Sequence, residues 1–333
     1  MLIQIIGVNG MRKFRWGILG TARIAEQQMI PALHLSPTSE LVAVASRDQA
    51  KGEAYAVKNS IPRVYSTYEA LLEAPDIDAV YIPLPNHLHV PWTVKAAEHG
   101  KHVLCEKPAA LDAREVEALG KACEDHQVVF MEAFMYQFHP QWDRVKAIIE
   151  SGEIGDVRII QSHFTGTMNR QEDYRLQSGM GGGALYDVGC YCVHATRMIL
   201  GQEPLNVDAH ARMDRGIDMS LAAIMSFPGG ILAHFDCSFD AYDRQQVEII
   251  GQQGTILVEW AFRPDLGEPT LSIRSGVKER RETLPQVNTY LLQIEHFQAV
   301  IEKKVAPLND QRQAYLNMKV IDAIYQTAKA SES

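Results

Sequence analysis

The first 130 residues repeat one pattern, a short apolar run followed by a helical stretch, and few folds accommodate it. Phe14 to Leu19 reads as a buried strand, and Gly20-Thr21-Ala22-Arg23-Ile24-Ala25 opens a helix that runs to about Leu35. Glu40 to Ser46 is a second run, followed by a helical stretch from Asp48; Ala79 to Pro83 and His102 to Cys105 are further runs separated by helical patterns. Strands alternating with helices pair in parallel, because each crossover returns the chain to the same end of the sheet and lays a helix over one face. The expected fold class is α/β, with an N-terminal doubly wound parallel sheet.

Beyond Glu132 the rhythm changes. A helix near Gln141 to Glu150 leads into extended runs at Val157 to Thr165, Asn206 to Met213, Ser220 to Phe227, Ile231 to Phe239, Val247 to Ile250 and Thr255 to Glu259. Phe227-Pro228-Gly229-Gly230 and Gly251-Gln252-Gln253-Gly254 are turn signals that join neighbouring runs as antiparallel hairpins. The second half is therefore an α+β unit, a large, mainly antiparallel sheet backed by helices. Two helices, about Val287 to Lys303 and Asp310 to Lys329, close the chain. At 333 residues the chain exceeds what one hydrophobic core usually organises, which also favours two domains. Met11 is a candidate natural start.

With 41 acidic against 32 basic residues the formal charge is -9, which argues against nucleic acid and anionic lipid as partners. Apolar stretches such as Leu41 to Ala45 are too short to cross a bilayer, and Met1 to Gly10 lacks a signal-peptide pattern, so a cytoplasmic location is expected. The five cysteines are odd in number and scattered, as reduced thiols are. Cys190 and Cys192, two apart on a helix, point to different faces, and the 12 histidines show no zinc-binding spacing; no metal is expected.

Gly20-x-Ala22-x-x-Ala25 is a variant of the G-x-G-x-x-G loop that holds a dinucleotide pyrophosphate at a helix N-terminus. Gly20 supplies the tight turn and Ala25 the close helix packing; Ala22 is the departure, tolerable if the loop sits wider. By itself the motif is equally compatible with an ordinary strand-turn-helix. Gly20, Thr21, Ala22, Arg23 and Ile24 are the candidate phosphate-side residues. After the second strand, where an NAD site places a carboxylate, stands Ser46-Arg47, and Arg47 suits the 2'-phosphate of NADP through charge-assisted hydrogen bonds. The alternative is an exposed Arg47 with Asp48 as ribose partner or helix N-cap. Pro83, Leu84, Asn86 and His89 follow the next strand, where ligands lie in such sheets; Asn86 and His89 contact ribose or the nicotinamide side, or Asn86 caps the following helix.

Several stretches in order resemble the Gfo/Idh/MocA oxidoreductase family: Gly17-Ile18-Leu19-Gly20-Thr21-Ala22, Pro85-Asn86 with His89, Glu106-Lys107-Pro108, Glu132-Ala133-Phe134-Met135-Tyr136-Gln137-Phe138-His139-Pro140, and Gly181 to Tyr191. The likeness runs from Phe14 to Ala328. It implies a Rossmann domain at 11–131, for which Ser46-Arg47 favours NADP with NAD as the alternative, and a substrate-binding and oligomerisation domain at 132–333. The open sheet of that second domain would form a homodimer or homotetramer contact. It also implies that Lys107, Asp187 and Tyr191 are catalytic, that Glu106 and Lys107 border the cofactor, and that the Lys107-Pro108 peptide is cis. The tyrosine form resembles dihydrodiol and xylose dehydrogenases and glucose-fructose oxidoreductase, so a carbohydrate-like substrate is expected.

The implied chemistry is transfer of a hydride with a proton. Tyr191 takes or returns the hydroxyl proton, and Lys107 lowers its pKa from near ~10 toward about 7, a stabilisation of roughly 4 kcal/mol. Asp187 orients the substrate or Lys107, with a plain helix N-terminal carboxylate as the bland alternative. The glycine run Gly179 to Gly183 suits close backbone approach to substrate or a flexible loop. His139, His163 and Tyr290 are candidates for the cleft wall, and Tyr290 for cofactor contact. A redox-neutral glycosidase, a non-catalytic NADP-binding regulator and an imine or bilin reductase remain rival readings.

Overall fold

The computed structural model describes residues 12–169 and 172–331; Met1 to Met11, including the candidate start, lie outside the described residues. Six strands, β1 (Phe14–Leu19), β2 (Ser39–Ala45), β3 (Arg63–Tyr65), β4 (Ala79–Ile82), β5 (His102–Cys105) and β6 (Phe130–Glu132), form a parallel sheet ordered β3-β2-β1-β4-β5-β6. Trp16, Ile18, Leu19 and every residue of β4 are buried, as expected for strands covered on both faces. The strand order reverses between β1 and β4, which opens a crevice at their carboxyl ends. β3 and β6 were not anticipated, because three residues are too few to show a pattern.

The helix after Gly20 has a cause for its irregularity. Residues Ala25–Met29 form a widened π turn before regular α geometry over Ile30–Leu35. Pro31 stands at the junction and has no N–H to donate to the carbonyl four residues back, so the widened turn absorbs the missing bond.

The second sheet has nine strands: β7 (Val157–Thr167), β8 (Asn206–Asp214), β9 (Ile217–Ser226), β10 (Leu232–Ser238), β11 (Asp240–Gly251), β12 (Gly254–Glu259), β13 (Thr270–Ser275), β14 (Lys278–Thr283) and β15 (Lys329–Ser331). Their order is β14-β13-β12-β11-β7-β10-β9-β8-β15. The expected hairpins β9-β10 and β11-β12 form, but β7 pairs in parallel with β10, as β15 does with β8, so the sheet is antiparallel only for the most part. β13 and β14 were missed. β14 reads Lys-Glu-Arg-Arg-Glu-Thr and lacks apolar alternation because it is a charged edge strand, a composition that discourages further pairing.

The two closing helices, Thr289–Ile301 and Gln311–Thr327, cross back onto the first half. The Phe297 ring lies 5.3 Å from Trp16, and Gln298 exchanges hydrogen bonds with Thr38 (2.6 Å) and Ser39 (2.8 Å). Among the described residues no helix is long and apolar enough to cross a membrane.

Candidate active site

The loops leaving β1, β4 and β5 form one wall of a cavity of about 710 Å³. Ala22, Arg23, Ile24, Pro83, Leu84, Glu106 and Lys107 line that side, while Asp187, Tyr191 and Tyr290 line the other. Gly20 takes φ +92°, a conformation open to glycine and costly for other residues, and a Cβ there would lie 3.0 Å from Leu84 Cδ2. Thr21 is half-buried beside it and does not line the cavity. Ser46 is buried and donates to the Asp48 carbonyl (2.8 Å); Asp48 accepts from the Lys51 amide as the N-cap of the helix Gln49–Lys58. Arg47 is exposed beside the Tyr68 hydroxyl, open to a ligand at the end of β2.

Lys107 and Asp187 meet across the cavity. The Lys107 ammonium donates to Asp187 Oδ1 (2.8 Å) and to its carbonyl (2.6 Å), and it sits 4.9 Å from the Tyr191 ring centroid. Asp187 also pairs with Arg175 Nε at 2.9 Å. Burial alone would favour the neutral acid, but Arg175 and Lys107 hold the Asp187 carboxyl far below the usual range. Burial likewise opposes the Lys107 charge, yet Asp187 raises its pKa well above that of an ordinary lysine.

Tyr191 corrects an expectation. Its hydroxyl donates to Met135 Sδ (3.7 Å), and burial raises its pKa, outweighing the Lys107 charge that acts in the opposite direction. The ammonium near the ring favours the phenolate, but burial prevails and holds the phenol in its protonated form. Glu106 accepts from the Tyr81 hydroxyl (2.5 Å), and burial raises its pKa. The Lys107-Pro108 peptide is cis.

Four candidates face elsewhere. Asn86 is buried, donates to the Gly181 carbonyl (2.7 Å) and makes no side-chain helix cap. The His89 ring is fully buried between the carbonyls of Leu84 and Pro108, each 2.7 Å away; burial lowers its pKa, and the two carbonyl acceptors act in the opposite direction. It braces two cleft loops from behind. His139 caps the helix Pro140–Glu150 by accepting from the Gln141 amide (3.2 Å) and donates to the Pro285 carbonyl (3.1 Å). His163 pairs with Asp236; Phe164 lines the cavity, and strand alternation turns its neighbour to the opposite face.

Gly181, Gly182 and Gly183 are packed against protein, whereas a Cβ on Gly179, at the start of the run, would meet nothing within 4 Å. A Cβ on Gly181 would fall 2.3 Å from Leu111 Cδ2, one on Gly182 would fall 2.5 Å from the Arg175 carbonyl, and one on Gly183 would fall 2.1 Å from Asp218 Oδ1. Asp218, buried on β9, accepts from the Leu185 amide (2.6 Å) and the Tyr325 hydroxyl (2.8 Å), anchoring the start of the helical segment that carries Asp187 and Tyr191. Sequence reasoning missed Arg175, Arg263 and Phe164. Arg175 lies in a loop without periodicity, and only its folded position beside Asp187 marks it.

A glycine-turned crevice at the switch point of a parallel sheet is where dinucleotides bind in doubly wound folds, and comparison with known proteins defines the class as an oxidoreductase with an NAD-binding Rossmann fold. Residues 14–134 match the family described as "Oxidoreductase family, NAD-binding Rossmann fold", and residues 142–257 match the GFO/IDH/MocA C-terminal domain. The chain belongs to the Gfo/Idh/MocA oxidoreductase family. It is 41% identical over 325 residues to the uncharacterized oxidoreductase ORF334 of Rhizobium meliloti, covering 95% of this chain and 97% of the relative. It is 37% identical over 317 residues to D-xylose 1-dehydrogenase (NADP(+)) 2 of Haloferax volcanii, covering 94% and 97%. The crystal structure of KijD10, a 3-ketoreductase from Actinomadura kijaniata in complex with NADP and TDP-benzene, superposes with a TM-score of 0.89 at 30% identity, over 96% of this chain and 99% of that one.

Proposed function

We propose that this protein is an NADP-dependent sugar oxidoreductase in which Tyr191 exchanges the proton and Lys107 and Asp187 support it. The dinucleotide, when bound, supplies a hydride at nicotinamide C4 or accepts one there. The residues present fit it: Gly20 turns the backbone with a positive φ, helical backbone begins at Arg23, and the cavity runs from that loop to Lys107 and Tyr191. Arg47, exposed at the end of β2, favours the 2'-phosphate.

The observation that carries the reading is the Lys107 ammonium, bonded to Asp187 and 4.9 Å from the centre of the Tyr191 ring. In carbonyl reduction the phenol donates its proton to the substrate oxygen, and the nearby ammonium stabilises the phenolate left behind. Burial keeps the phenol protonated at neutral pH, ready to act as an acid. In alcohol oxidation the same group must first lose its proton, so oxidation accelerates as pH rises. Asp187 fixes the Lys107 ammonium on the ring face.

The test is nicotinamide absorbance with NADPH or NADP and a panel of aldoses, ketoses, ketosugars and diols. Turnover with a carbohydrate is the expected result. Silence across the panel with intact, cofactor-binding protein would overturn the reading in favour of a regulator or a redox-neutral glycosidase.

A further inference from the structure

Beside the reaction cavity lies a second open chamber of about 720 Å³, within the usual range for a small-molecule site. The two are continuous, sharing Phe164, Thr167, Met168, Asp187, Val188 and Arg263. Proton exchange at Tyr191 makes no use of the outer chamber, yet one of its walls is built with unusual backbone geometry. Trp260 lines it and takes φ +56°, a left-handed conformation rare for a bulky residue. Gly267 packs so tightly against the indole that a Cβ there would fall 2.0 Å from Trp260 Cε2. Strained backbone of this kind persists where surrounding structure over-determines it, often at ligand sites. Tyr242 and Leu266 extend the apolar surface, 87% and 56% exposed. Gln245 and Asp243 line the same chamber, and Gln245, opposite Phe164, accepts from the Arg263 amide through Oε1 (2.6 Å).

The charges select among ligands. Among the described residues lining the chamber, the cations are Arg244 and Arg263. Arg263 forms a two-pronged pair with Asp265 (2.8 and 2.7 Å), and Arg244 is bonded to Asp236 (2.5 Å). Asp243 adds negative charge, while Glu259 is paired with Arg281 (2.5 Å). A diphosphate would enter against these carboxylates and compete for arginines already committed, whereas a neutral ring with hydroxyls at its edge and C–H groups on its face matches an indole flanked by amide and carboxylate.

We propose that the outer chamber is a second carbohydrate subsite and that the substrate is a neutral glycoside or disaccharide. Its reacting ring lies beside Tyr191 and its second ring lies on Trp260. This inference rests on the sugar-oxidoreductase reading above and narrows its substrate class.

Steady-state rates with NADP and glucose, cellobiose, maltose and gentiobiose test it in wild type, Trp260→Ala and Trp260→Phe. The expected result is a disaccharide kcat/KM above that of glucose. Trp260→Ala should lower the ratio of disaccharide to glucose kcat/KM by about 10- to 100-fold, mainly through KM, and Trp260→Phe should recover most of it. Disaccharide should also change the tryptophan fluorescence of wild type and not of Trp260→Phe, a readout independent of turnover that stands if the alanine variant misfolds. Glucose turnover with no disaccharide advantage, or an unchanged ratio in Trp260→Phe and Trp260→Ala alike, would overturn the subsite and leave the functional reading intact. Absence of turnover with every carbohydrate, together with no fluorescence response, would overturn both.

Discussion

Lys107→Met isolates the electrostatic core of the proposed chemistry. Removing one member of a buried ion pair usually strands the other, but Asp187 retains Arg175 at 2.9 Å, so the variant should fold with its carboxylate still paired. What disappears is the cation 4.9 Å from the Tyr191 ring centroid. At an effective dielectric constant of about 20, a unit charge at that distance stabilises a phenolate by about 3 kcal/mol, or about 10²-fold in rate; the partly opposing Asp187 charge trims this figure. The assay is a pH profile of kcat for sugar oxidation, with a folding control by thermal melt. Wild type should rise with pH because burial holds the phenol pKa up, and the variant should run parallel and about 10²-fold lower. A variant within about threefold of wild type throughout would refute the claim that Lys107 stabilises the phenolate.

Arg47→Ala should weaken NADPH binding by about 1.5 to 3 kcal/mol, the worth of a charged hydrogen bond, and leave NADH binding nearly unchanged by fluorescence titration; equal losses would show that Arg47 does not read the phosphate. Asp218 offers a separate linkage test, because burial raises its pKa from 3.8 to about 6. The folded state then binds the proton more tightly than the unfolded chain, so this group's stabilisation is fully present below about pH 3.8 and is lost as pH rises through about 6. Asp218→Asn removes that dependence. Urea-unfolding stability of the variant relative to wild type should therefore improve by up to roughly 3 kcal/mol between about pH 4 and pH 7, and parallel curves would show that Asp218 is not strained by its charge.

The strand-helix rhythm and the Gly20 turn were legible because each depends on local pattern, whereas a contact between Asp187 and Lys107 was one of several options and rested on the family resemblance. The errors share a physical origin. His89 and His139 have the right chemistry for a cleft and spend it on backbone carbonyls and amides, which sequence cannot count. Gly181, Gly182 and Gly183 were identified as sites of close approach, but the approaching atoms belong to Leu111, Arg175 and Asp218, contacts that exist only after long-range folding. Arg175 was invisible for the same reason. The Tyr191 pKa departs from the expectation because burial of the phenol itself outweighs the Lys107 charge.

The two halves of the molecule meet at the site. Lys107 leaves the end of β5, whereas Asp187 and Tyr191 lie on a helical segment anchored to the second sheet through Asp218. Residues 181–187 cross between them at three points: the Gly181 carbonyl accepts from Asn86 (2.7 Å), the Tyr186 hydroxyl donates to the Leu111 carbonyl (2.6 Å), and Asp187 accepts from Lys107 (2.8 Å). The phenol is thereby held in register with the loops that border the cofactor rather than with the second sheet alone. Hydride and proton must reach adjacent atoms of one substrate, and misplacement by about 1 Å can cost about 10²-fold in rate. The glycines and Asn86 allow the crossing segment to lie close enough for Lys107 to meet Asp187.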